Sequence, residues 1–99
     1  MRLARVDFPS IKGMDLSEEQ ETLISRVENA LRHLLNANGI ESGVGTTTGF
    51  SNSAALGFKV PDEEFVQKTV IDKLRDMDVL ENVEVYCEDE NRQERRIYP

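Results

Sequence analysis

The chain has 99 residues, enough for one domain with a single modest core. Nineteen Asp and Glu against 12 Lys and Arg leave a formal charge of −7, which argues against nucleic acid and anionic membrane partners, since both are held through Lys and Arg. The single cysteine, Cys87, excludes an internal disulfide; the first twelve residues lack an apolar signal region, and no run approaches the roughly 18 apolar residues of a membrane-spanning helix, so a soluble cytoplasmic protein is expected.

Residues 2–8, RLARVDF, alternate: Ala4, Val6 and Phe8 fall on one side, Leu3, Arg5 and Asp7 on the other. That is the pattern of a half-buried strand. Pro9, Ser10 and Gly13 mark a loop. Ser17 then opens a helix, forming with Gln20 a capping-box pattern, and Glu18, Glu19 and Glu21 place negative charge where the helix dipole favours it. Leu23, Ile24, Val27, Ala30, Leu31, Leu34 and Leu35 recur at helical spacing. Gly39 suits the left-handed position after the last turn, with Ile40 folding back on Leu35.

The stretch GVGTTTGFSNSAALGF, residues 43–58, carries four glycines, three consecutive threonines and no charge. Read as a β-hairpin turning at SNS, it sorts by parity. Val44, Thr46, Thr48 and Phe50, then Leu56, Phe58 and Val60, fall on a packing face. Gly43, Gly45, Thr47 and Gly49, then Ala55, Gly57 and Lys59, fall on a nearly bare one. Pro61 and Asp62 start a second helix with the stripe Phe65, Val66, Val70, Leu74 and Met77, ending near Asp78. Residues 82–88, NVEVYCE, alternate again, Val83, Val85 and Cys87 against Glu84, Tyr86 and Glu88. Residues 91–99 read as a charged tail beyond a domain of residues 1–90.

The order strand, helix, hairpin, helix, strand predicts an α+β, ferredoxin-like β-α-β-β-α-β fold: a four-stranded antiparallel sheet with both helices on one face. Such a fold says little of function, so function has to come from the face left open. Parity places Arg5, Gly43, Gly45, Thr47, Gly49, Gly57 and Tyr86 there. A strip without side chains lets a second sheet or a ligand approach closely.

Phosphate and dinucleotide fingerprints are not met: the glycines at 43, 45 and 49 have the wrong spacing, and a strand, not a helix, follows them. The run Glu88, Asp89 and Glu90 lacks the alternate spacing and turn glycine of a Ca²⁺ loop. His33, the sole histidine, falls on the polar side of its helix with no partner in sequence, and Cys87 has the parity of a core residue. No catalytic residue, metal or cofactor is therefore expected. Residues 55–60, ALGFKV, resemble the strand KGFGFV of the RNA-recognition module, but only Phe58 stands where that module places two aromatics, and Ala55 replaces its basic residue.

The expected function is a small non-enzymatic interaction or regulatory module acting as a homodimer through the open face. One alternative is an acidic inhibitor or immunity-type protein that neutralises a basic partner through Glu81, Glu84, Glu88, Asp89 and Glu90. Another is a small enzyme or ligand-binding domain with its site on the open face.

Overall fold

In a computed structural model, which describes residues 1–13 and 15–99, strand β1 (Arg2–Lys12) leads into helix α1 (Glu18–Ala37). The hairpin strands β2 (Gly45–Thr48) and β3 (Ser53–Val60) follow, joined through a 3₁₀ turn at Phe50–Asn52. The second helical rod has three parts: α2 (Glu63–Phe65), a π-helical turn at Val66–Val70, and α3 (Ile71–Asp76). A 3₁₀ turn at Leu80–Asn82 leads to β4 (Glu84–Glu88) and then β5 (Glu94–Tyr98). The architecture is α+β, with one antiparallel sheet in the order β2-β3-β1-β4-β5.

The sheet has five strands where the alternation pattern predicts four. The added strand lies in residues read as a charged tail. Its alternation is hidden because Glu94, Arg95 and Arg96 are charged on both sides; what holds it is pairing with β4, at Glu88–Glu94, Cys87–Arg95 and Tyr86–Arg96.

The core lies between sheet and helices. Ala4, Val6 and Phe8 from β1, Leu56, Phe58 and Val60 from β3, and Val85 and Cys87 from β4 meet Ile24, Val27, Leu31 and Leu35 of α1 and Val66, Val70 and Leu74 of the second rod. Burying one such Leu or Phe contributes about 1.5–3 kcal/mol, so the periodic positions dominate the choice of fold.

Local signals set the helix ends. The Ser17 Oγ accepts from the Gln20 N–H and the Gln20 Oε1 accepts from the Ser17 N–H, completing the capping box. Beyond α1, Gly39 takes φ +73° while the Ile40 N–H donates to the Leu35 carbonyl and the Gly39 N–H to that of Asn36. This is the Schellman closure, and Ile40 is buried beside the helix it ends. The second rod closes the same way without a glycine: Asp78 takes φ +60°, and the Val79 N–H reaches the Leu74 carbonyl. Geometry explains the position of Asp78 at a helix end whose dipole disfavours a negative charge.

No helix among the described residues is long and apolar enough to cross a membrane.

Candidate functional site

The face opposite the helices is organised by strand register. Directly paired residues share a face, so the pairs Gly45–Gly57, Gly57–Arg5, Arg5–Tyr86 and Tyr86–Arg96 form one row across all five strands. A second row runs Thr47, Ala55, Asp7, Glu84. The β2–β3 half carries small side chains apart from Lys59, which pairs with Leu3, and the β4–β5 half is charged. Five of the residues expected on this face, Arg5, Gly45, Thr47, Gly57 and Tyr86, are brought together by this register.

Gly43 is not among them. It precedes β2 in the connection from α1, where the Ser42 Oγ accepts from the Lys59 N–H and the Val44 carbonyl accepts from Arg32. Gly49 follows β2 at the hairpin tip and has a structural task. A Cβ there would collide with the Asp7 carboxylate, so only glycine lets the tip close onto β1.

The tip also overturns the parity expected of Phe50. Ser51 and Asn52 take φ +55° and +61°, the consecutive left-handed pair of a type I′ turn. Phe50 stands past the last ladder pair, Thr48–Ala54, at the start of this turn, where parity does not apply, and its ring lies on the open face. There it meets Tyr86 edge-on, with ring centroids 5.1 Å apart.

Arg5 is the hub. Its guanidinium lies 4.9 Å from the Phe50 ring centroid and 4.6 Å from that of Tyr86. Its Nε and Nη2 donate to the Asp7 carboxylate, and its Nη1 donates to Glu94 on β5 at 2.7 Å. Asp7 is only 1% exposed, and it also accepts from the Phe50 N–H. A buried charge of this kind is tolerable only when fully partnered. Burial pulls the Arg5 pKa down, but the hydrogen bonds and charges of Asp7 and Glu94 outweigh it and raise it above its ordinary value. On the next strand the Tyr86 hydroxyl donates to Glu84, which also pairs with Arg96 at 3.4 Å. Burial, then that carboxylate, push the Tyr86 phenol up.

Three contributors to this cluster lie outside the residues that parity selects: Phe50, Glu94 and Arg96. For Phe50 the available signal is Ser-Asn at a two-residue turn, since asparagine tolerates the left-handed region. For Glu94 and Arg96 it is their spacing of two, which puts both on one face of a strand.

Beside the hub lies an open cleft of about 350 Å³, lined by Leu3, Arg5, Gly45, Thr47, Gly57 and Glu94 among others. Leu3 and Phe50, 50% and 57% exposed, are two of three large apolar side chains left exposed among the described residues, with Met1 the third. Gly45 and Gly57 have room for a Cβ: none of the neighbouring atoms comes within 4 Å at Gly45, and Gly57 would meet only the Thr47 methyl at 3.6 Å.

The acidic residues are largely engaged within the chain. Glu84 is paired as described; Glu88 accepts from the Leu3 N–H and sits 3.8 Å from Arg92; Asp89 caps the β4–β5 turn by accepting from the Asn91 and Gln93 N–H groups. Glu81 and Glu90 are exposed. His33 is exposed on α1, whereas Cys87 is wholly buried, and burial with the nearby Glu63 pushes its thiol up to about 11. The pair cannot act as base and nucleophile from those positions. The arrangement on the open face fixes side chains in place and presents small and apolar groups beside them.

Comparison with protein-family models, with curated proteins and with solved structures finds no match to this chain.

Proposed function

We propose that the protein is a small non-enzymatic interaction module whose open sheet face docks a second copy of itself. The observation that carries this reading is the placement of Leu3 and Phe50, exposed on the same face as the bare Gly45–Gly57 floor. Exposed apolar groups beside a side-chain-free strip suit close approach of another sheet. Arg5, Glu94, Glu84 and Arg96 are mutually paired, so the charged half of the face enters an interface largely neutralised. The molecule measures 35 × 27 × 22 Å, so its broad faces can supply the roughly 800 Å² per partner that a stable dimer buries. The internal pairing of Glu84, Glu88 and Asp89 disfavours the reading as an acidic inhibitor, because those carboxylates would have to give up existing partners to take new ones. We read β1 to β4 with the helices as a ferredoxin-like unit extended by β5, a reading supported by the strand and helix succession.

The test is the solution mass of wild type and of Gly57→Arg. A Cβ fits at position 57, so the variant folds, but its charged side chain obstructs docking. Light scattering should give a multiple of the chain mass for wild type and half that value for Gly57→Arg, with an unchanged circular dichroism spectrum. A wild type that stays a single chain at submillimolar concentration ends the proposal.

A further inference from the structure

The threonine triplet is unexplained by the open-face cluster. Strand β2 is an edge: β3 pairs with one side of it, and no strand among the described residues pairs with the other. All four of its residues are exposed. Proteins commonly blunt such edges with charge, proline or a bulge. The opposite edge, β5, carries Glu94, Arg95 and Arg96; β2, Gly-Thr-Thr-Thr, is short at four residues but has no charge, proline or bulge, in a chain where 31% of residues are charged.

Its sequence is also symmetric. Residues 45–49 read Gly-Thr-Thr-Thr-Gly in both directions, centred on Thr47, with apolar Val44 and Phe50 outside them. Antiparallel pairing of two copies about a two-fold axis normal to the sheet requires opposed residues to share a face. Every register centred on a residue meets that condition; centring on Thr47 also sets threonine against threonine throughout, Thr47 opposite Thr47 and Thr46 opposite Thr48. Threonine pairs across antiparallel strands are favourable, and a two-fold contact uses the same patch twice.

We infer that two copies join β2 to β2 in the Thr47-centred register, continuing the sheet across the pair. The threonine pairing favours a second copy as the occupant. Two chains of −7 each repel overall, and β2, which carries no charged residue, adds nothing to that repulsion at the contact. The contact uses the rim of the sheet, so it goes beyond the open-face docking proposed above and stands independently of it.

The Gly57→Arg background separates the two, because it removes open-face docking. There, light scattering should still show two chains, and adding Thr47→Lys, which sets two lysines opposite each other at the axis, should leave one. In the same background Thr47→Cys should oxidise to a covalent dimer, while Glu19→Cys on α1 should not; Cys87 is buried and does not interfere. A Gly57→Arg protein that is a single chain, or equal cross-linking at the two engineered cysteines, overturns the inference. If wild type and Gly57→Arg both run as two chains and Thr47→Lys alone gives one, the edge contact stands and open-face docking falls.

Discussion

Replacing Gly49 by alanine puts a methyl group into the space held by the Asp7 carboxylate. The backbone at Gly49 is extended, φ −93° and ψ −163°, so alanine pays no conformational penalty and the whole effect is one of space. Asp7 cannot step aside without loosening its bonds to Arg5 and to the Phe50 N–H. Overpacking of this kind costs about 1–3 kcal/mol, and the loss of those bonds places Gly49→Ala in the upper half of that range. Asp7→Ala is costly by itself. Removing one partner of a buried ion pair costs about 3–5 kcal/mol; Arg5 keeps Glu94 and is partly exposed, which brings the expected loss to the low end. In the Asp7→Ala background, however, the carboxylate is gone and Gly49→Ala should cost almost nothing. A double-mutant cycle from urea midpoints should therefore give a coupling well above the 0.3–0.5 kcal/mol scatter expected of independent sites. If alanine at 49 costs the same in both backgrounds, the tip is not held by Asp7, and the account of how Phe50 reaches the open face fails.

Position 78 should favour glycine over alanine by about 1 kcal/mol, since only glycine takes a positive φ without a Cβ penalty; thermal melts of Asp78→Gly and Asp78→Ala should differ by several degrees, and equal melts would remove the Schellman reading. Cys87 links stability to alkaline pH. Its thiol titrates at about 11 when folded against an ordinary 9.0, so between those values the unfolded chain has released a proton that the folded one keeps, and stability present below pH 9 is lost as pH rises toward 11. Cys87→Val should flatten urea midpoints across that window; an unchanged slope would assign it wholly to other groups such as Tyr86, whose phenol is also raised. At neutral pH a thiol reagent should label Cys87 only as fast as the chain opens, and rapid labelling of native protein would contradict its burial.

Much of the fold can be read from the chain because its signals are local. Ser17 with Gln20, Gly39 with Ile40, and the parity of β1, β3 and β4 act within a few residues of one another, and each appears in the structure. What escapes is what depends on a distant partner. The residues of β5 look like a tail because charge on both sides hides their alternation, and because Arg5, which pairs with Glu94, lies on a strand far away in sequence. Phe50 escapes the parity rule because it stands past the last ladder pair, at a turn whose two left-handed residues are not glycine, which propensity disfavours. Gly43 shares parity with Gly45 but lies outside the strand, and parity has no force where there is no ladder. The site is legible as a face and not as a cluster: alternation identifies Arg5 and Tyr86 as neighbours of the glycines, while the stacking of Arg5 with Phe50 and Tyr86 and its bond to Glu94 arise from packing.

Docking of two open faces is tested most directly by isotope-filtered NMR on a mixture of labelled and unlabelled chains. The account predicts intermolecular contacts from the Leu3 methyl groups and the Phe50 ring to residues around Gly57. Spectra with no contact between copies, or with contacts confined to the exposed side of α1, would contradict it.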